Sequence, residues 1–230
     1  LEAMRESGCD KFIFSSTCAT YGNPQQIPMS EQHPQNPINP YGRSKLMLEQ
    51  VLADCESAYG LRSVRLRYFN ASGCSLDGVI GEDHDPETHL IPNVLRAARG
   101  ETGPMTVFGT DYPTPDGTCV RDYVHVLDLA RAHVKALEYL EHGGESTACN
   151  LGTGKGASVK EIIQTAESVT GLQVPVEYGE RRAGDPAELV ADAAFAKQKL
   201  GWEAEITELR DIIGSAWGWM NSDRGGKYSS

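Results

Sequence analysis

The residues best suited to chemistry are Tyr41 and Lys45, in the stretch Asn39-Pro-Tyr-Gly-Arg-Ser-Lys45. Side chains four apart in a helix lie one turn apart on the same face. A lysine ammonium so placed stabilises a phenolate. A tyrosine of ordinary pKa near ~10 would then become a general acid/base at neutral pH, able to take a proton from an alcohol. The same spacing is also satisfied by a packed tyrosine beside a lysine that extends its head to water.

The helix that positions the pair is marked at its start by Asn39, a good cap, and Pro40, suited to the first helical position. Leu48, Leu52, Cys55 and Tyr59 continue the stripe of Tyr41 and Lys45 in steps of three and four, which predicts that both polar residues lie along the buried face. The helix is expected to end near Tyr59.

Composition narrows the remaining classes. The 230 residues carry a net charge of −11 and are 40% hydrophobic, enough for one large domain or two small ones with a core. That charge argues against nucleic acid or an anionic membrane as the main partner, although a local arginine cluster can still serve an anionic substrate. No run reaches transmembrane length and no apolar signal-peptide core is visible. The cysteines at 9, 18, 55, 74, 119 and 149 form no Cys-x-x-Cys pair and read as reduced thiols of a cytoplasmic protein. His84 and His89, in a loop-like stretch, are not expected to hold a metal.

Elements alternate along the chain. Leu1 to Ser7 reads as a helix end closed by Gly8. Lys11 to Ser15 is a short apolar strand leading into Ser15-Ser16-Thr17, three hydroxyls where open α/β sheets bind ligands. A proline-rich loop from Gly22 to Pro40 precedes the Tyr41 helix, and Ser63 to Tyr68 is the next strand. Ser72 to Thr88 is a loop and Asp111 to Gly117 a turn. Further helices are expected over 90–99, 126–140, 159–170, 193–200 and 207–220, and strands over 105–108, 120–125, 148–151 and 174–178. A frayed polar tail is expected from Asn221. The order indicates an α/β fold with a parallel sheet, several segments moving between it and a smaller lobe, and a substrate cleft between the two.

Three stretches, Phe12-Ile-Phe-Ser-Ser-Thr-Cys-Ala-Thr-Tyr-Gly22, Asn36-Pro-Ile-Asn-Pro-Tyr-Gly-Arg-Ser-Lys45 and Arg67-Tyr-Phe-Asn70, resemble the extended short-chain dehydrogenase/reductases. The run from Val107 to His125 and Arg181-Arg-Ala-Gly-Asp185 are similar to the UDP-hexose 4-epimerases within that family. The resemblance spans essentially the whole chain. It implies a partial Rossmann-like, doubly wound parallel sheet with a smaller α/β substrate-binding lobe. Residues 1–70 would be the later part of an NAD-binding domain, and 71–230 mainly a UDP-sugar lobe with some segments returning to the sheet.

The resemblance also assigns roles. Tyr41 would exchange a proton with the sugar 4-hydroxyl, Thr17 would hydrogen-bond that hydroxyl, and Lys45 would bind the nicotinamide ribose and lower the Tyr41 pKa. Ser15, Ser16, Tyr68 and Phe69 would join Tyr41 and Lys45 at the cofactor, NAD. Asn70, Leu90, Phe108, Arg121, Tyr123, Arg182 and Asp185 would hold the UDP-sugar with Thr17. C4 would pass a hydride to NAD, and the 4-keto sugar would turn over and recover the hydride on its other face. A homodimer through helices including that of Tyr41 is likewise implied.

Family members open with Gly-x-x-Gly-x-x-Gly and a later acidic residue for the adenine ribose. This sequence has neither; Gly152-Thr-Gly-Lys-Gly156 has the wrong spacing and place. The expectation is a C-terminal fragment with impaired NAD binding. A 4,6-dehydratase would need an acidic residue beside Thr17, where Cys18 and Ala19 stand. UDP-pentose or UDP-N-acetylhexosamine epimerisation stays open, because Leu189 is neither bulky nor small at the position that sets pocket size. A non-catalytic nucleotide-sugar-binding module is the reading from a different class.

Overall fold

A computed structural model describes residues 1–182, 184–225, 227 and 228. Its first sheet joins three parallel strands, β1 (Lys11–Thr17), β2 (Arg62–Tyr68) and β6 (Thr147–Leu151), in the order β1-β2-β6. The register sets Thr17 beside Tyr68 and Tyr68 beside Leu151, so their carboxyl ends form one edge.

Strand alternation sends successive β1 side chains to opposite faces. Phe14 meets Leu52 and Leu61 on the side of α2 (Pro40–Tyr59). Ser15 points the other way, to His133 of α4 (Val126–Glu141), while Ser16 turns back to Glu49 of α2. On the α4 side, Val64, Leu66, Cys149 and Leu151 pack on Ala132, Ala136, Leu140 and Trp202, with α6 (Ala194–Leu200) completing the layer. Burying each large apolar side chain contributes roughly 1.5–3 kcal/mol.

The α2 start forms as its sequence dictates. The Asn39 side chain accepts the Gly42 N–H at 2.7 Å, Pro40 occupies the first turn, and Gly60 closes the helix at φ 78°. The buried stripe differs from expectation: Gly42, Glu49 and Leu52 are buried, whereas Tyr41, Leu48 and Tyr59 are exposed. The reason is Arg67. Its guanidinium, on β2, pairs with Glu49 in the interior, so this glutamate occupies a buried position of α2.

Strands β3 (Asn70–Ser72), β5 (Val120–His125) and β7 (Gly156–Ser158) form a second sheet, with β9 (Glu188–Leu189) also paired to β5. β4 (Met105–Phe108) pairs with β8 (Val176–Gly179). Helices α3 (Leu90–Ala98), α5 (Val159–Thr170) and α7 (Leu209–Met220) bury Ile91, Leu95, Ile162, Ile213 and Trp219 against them. α5 begins at a capping box of Ser158 and Glu161. The short strands β3, β7 and β9 were not expected. Within the tail expected to fray, Tyr228 packs on Trp219 with ring centroids 5.0 Å apart and planes tilted by 39°, and the Gly81 N–H donates to its hydroxyl at 2.8 Å. No described helix is long and apolar enough to cross a membrane.

Candidate active site

Thr17, at the end of β1, is 6% exposed and caps a 3-10 turn at Cys18–Thr20 by accepting the Ala19 N–H. α2 reaches this turn closely at Gly42, where a Cβ would lie 2.2 Å from the Ala19 carbonyl oxygen. Gly42→Ala would gain up to ~1 kcal/mol in an open helix. Here it is expected to push α2 away from the turn and lower the thermal unfolding midpoint. An unchanged or raised midpoint would show that the close approach is not needed.

Tyr41 stands at the head of α2, 54% exposed. Burial of its phenol and the neighbouring Tyr68 and Cys18 push its pKa up, against the opposing hydrogen bond of Thr17. The expected lowering by Lys45 is therefore not found. The Lys45 ammonium donates to the Ser15 carbonyl at 2.9 Å and sits 5.7 Å from the centre of the Tyr41 ring. It spends its nearest hydrogen bond on the strand. Burial pushes the Cys18 thiol up to about 12.

The other residues expected at a cofactor divide. Ser15 pairs its hydroxyl with His133 at 3.0 Å. Ser16 is fully buried and donates to Glu49 at 2.5 Å, so its hydroxyl is committed to the interior. Tyr68 is half-buried near His133, and Phe69 is buried with Tyr21, Met29 and Ala191. Tyr41, Lys45 and Thr17 offer hydroxyls and an ammonium at a parallel strand edge, chemistry that fits the ribose and nicotinamide end of NAD.

Beyond this edge opens a cavity of about 560 Å³ whose walls include Asn70, Leu90, Phe108, Arg121, Tyr123, Arg182 and Asp185. All seven expected UDP-sugar residues other than Thr17 thus meet in one place. Their positions follow from the strands. Asn70 lies beside Tyr123 in the β3–β5 register, and Asn70 is two residues past Tyr68, the partner of Thr17. The cavity therefore adjoins the Tyr41 edge. The Asn70 amide donates to the Asp122 carbonyl at 3.0 Å. Arg121 binds Asp185 and donates to the Val120 carbonyl at 2.7 Å, which fixes its fork at the cavity wall. The Arg182 guanidinium lies 4.0 Å from the centre of the Phe108 ring. Burial pushes the Tyr123 phenol above its ordinary value and keeps it neutral.

Sequence reasoning missed Asn93, Met105, Thr106 and Cys119 in the cavity wall, and the Glu49–Arg67 pair that Ser16 joins. The signal for the pair was present: a glutamate among the apolar positions of a helix whose neighbouring strand carries arginines.

A parallel α/β protein with a hydroxyl-and-lysine edge beside an arginine-lined cavity is of the class that binds a nucleotide cofactor and a second anionic ligand at strand ends. The NAD dependent epimerase/dehydratase family model matches residues 1–152, and the chain belongs to that family. A UDP-glucose 4-epimerase from Rhizobium meliloti is 56% identical over 219 residues, 95% of this chain and 66% of that protein. One from Streptococcus mutans is 51% identical, over 96% and 67%. The crystal structure of UDP-glucose 4-epimerase from Brucella ovis in complex with NAD superposes with a TM-score of 0.92 at 55% identity, covering 94% of this chain and 66% of that one. The chain spans about two thirds of the length of these relatives.

Proposed function

We propose that this chain carries the substrate-side machinery of an NAD-dependent UDP-hexose 4-epimerase that interconverts UDP-glucose and UDP-galactose. The observation that carries the reading is the junction of the Thr17–Tyr41–Lys45 edge with the cavity of Arg121, Arg182 and Asp185. NAD, when bound, supplies a hydride acceptor and donor for C4 and a positively charged nicotinamide. Tyr41 takes the proton from the 4-hydroxyl and returns it after the 4-keto sugar has turned over, while Thr17 hydrogen-bonds that oxygen. Lys45 lies near the Tyr41 ring and favours its phenolate as the ammonium moves closer. Arg121 and Arg182 neutralise the pyrophosphate with forked hydrogen bonds, and Phe108 packs near the uracil. Firm contact at the diphosphate with few contacts at the hexose leaves the ketone room to rotate.

The test is conversion of UDP-galactose to UDP-glucose with added NAD, by this chain and by this chain joined to the N-terminal portion of the Rhizobium meliloti relative. Conversion by either supports the reading. No conversion by either, with UDP still bound, would leave a nucleotide-sugar-binding protein instead. Binding itself is separable: Arg121→Ala is expected to weaken UDP about tenfold to a hundredfold in titration calorimetry, the worth of a charge-assisted hydrogen bond. Unchanged affinity would remove Arg121 from the diphosphate site.

A homodimer through α2 belongs to the same reading, supported by the exposed Met47, Leu48 and Val51 on that helix. Sedimentation of a single-chain mass at high protein concentration would argue against it. The six free thiols suit a cytoplasmic location.

A further inference from the structure

The loop between β3 and α3 brings together four side chains of metal-binding type that the epimerase reading does not use. Glu82, His84, Glu87 and His89 each offer one donor atom, and these atoms all lie within 4.8 Å of one another. His89 Nδ1 is 2.5 Å from a Glu82 oxygen and 3.0 Å from a Glu87 oxygen, and His84 Nδ1 is 4.0 Å from the same Glu87 oxygen. One imidazole nitrogen carries at most one hydrogen, so it serves one of the two carboxylates that converge on it.

Ordinary ion pairing also fails to explain how firmly the set is held. The Glu82 carbonyl accepts from Trp219 Nε1 at 2.9 Å, and the Glu87 carbonyl accepts from Asn93 at 3.4 Å. The Glu87 side chain is only 4% exposed, with its carboxylate accepting the Thr88 and His89 N–H groups at 2.7 Å, and His89 itself is the cap residue of α3. These anchors come from two helices and fix the backbone of the donors before any ion arrives. A tetrahedral ion with ligands at about 2.0–2.2 Å holds them about 3.5 Å apart. The present spacings bracket that value, and the two imidazoles, 56% and 50% exposed, have room to adjust.

We propose that Glu82, His84, Glu87 and His89 form a binding site for Zn2+ or a similar borderline divalent ion, clipping this loop to the rim of the cavity. Two imidazoles with two carboxylates suit zinc and neighbouring transition ions better than Mg2+ or Ca2+, which prefer all-oxygen shells. Glu82 and His89 also line the cavity, so the ion would fix part of its wall.

The test uses this chain with the metal alone. After dialysis against Zn2+, one equivalent per chain is expected by elemental analysis. Co2+ in its place is expected to show d–d absorption without a thiolate charge-transfer band, which separates this site from the six cysteines. His84→Ala and His89→Ala should each weaken Zn2+ at least about tenfold, since even outer-shell changes cost ten- to a hundredfold. His142→Ala, an exposed histidine at the end of α4, should leave binding unchanged. Circular dichroism of the variants checks that the fold is kept, as the half exposure of both rings predicts. Less than a stoichiometric amount of metal, a thiolate band, or full affinity in both histidine variants would overturn the proposal.

Discussion

Glu49→Ala is expected to destabilise the chain by about 3–5 kcal/mol, the cost of breaking a buried ion pair from one side. That is a large share of the ~5–15 kcal/mol by which folded domains are stable. The side chains of Arg67 and Glu49 are 7% and 3% exposed and joined at 2.5 Å, with a second bond from Arg67 Nε at 2.9 Å. Ser16 and Gln35 donate to the same carboxylate, and Arg67 also donates to the Tyr21 hydroxyl at 3.0 Å. Burial opposes the charge on Arg67, yet its bonds to Glu49 and Tyr21 hold its pKa above the guanidinium norm. Without Glu49 that cation is left buried and cannot lose its proton. Urea denaturation measures the effect, and a change under about 1 kcal/mol would show that the pair contributes little. R67M with Glu49→Leu should recover part of the loss, because apolar replacement of both partners removes the uncompensated charge.

The same pair gives the acid limb of stability its sign. Burial would raise the Glu49 carboxyl, but Arg67, Ser16 and Gln35 outweigh it and hold the pKa below the ordinary value. A carboxyl lower in the folded than in the unfolded chain contributes stability above its unfolded pKa, near ~4.3. That contribution is lost as pH falls through the folded value. Asp122 and Glu31 have the opposite sign, since burial raises both. The acid loss assigned to Glu49 is therefore the difference between the parent chain and Glu49→Ala across that range. It should vanish in the variant.

The sequence was legible wherever one residue type answers a local demand. Asn39-Pro40 and Ser158-x-x-Glu161 start α2 and α5 where helix chemistry says they must. The apolar run at Lys11 becomes a buried-sheet strand, extended to Thr17 by pairing with β2. The cavity residues were legible by a different route, through whole motifs, because Asn70, Arg121 and Arg182 are far apart in sequence and meet only through strand pairing. What escaped depends on partners from distant elements. β3, β7 and β9 are two or three residues long, too short for any period to show. The α2 stripe was misplaced because Glu49 counts as a surface residue until Arg67 is set beneath it. Spacing alone aims Lys45 at Tyr41, whereas the carbonyl of Ser15, thirty residues away in the chain, accepts its hydrogen bond. His84 and His89 meet in a loop whose Glu82 and Glu87 carbonyls accept bonds from Trp219 and Asn93, partners that the sequence alone does not pair with it.

If the chain epimerises as proposed, Tyr41→Phe is expected to lower that rate by about 100- to 10,000-fold, the usual worth of a positioned general acid/base. The substitution removes one hydroxyl from a residue 54% exposed, so fold and UDP affinity should be unchanged. Loss of rate with intact UDP binding is thus specific to proton transfer. The pH dependence adds a second reading. Because burial and the neighbouring Tyr68 and Cys18 raise the Tyr41 pKa, the phenolate is scarce at neutral pH unless a positive charge comes closer than Lys45 now lies. The rate of UDP-galactose conversion should then rise towards alkaline pH in the active form. Lys45→Met should steepen that rise and move it higher, since it removes the nearest mobile cation. A Tyr41→Phe variant that retained the parent rate, or a parent rate flat from neutral to alkaline pH with Lys45 replaced, would move the proton transfer to another group. Thr17 is the nearest candidate, but its hydroxyl already accepts the Ala19 N–H and has no acidic proton to lose at these pH values. That leaves the phenol of Tyr41 as the group at this edge whose ionisation the surrounding charges can govern.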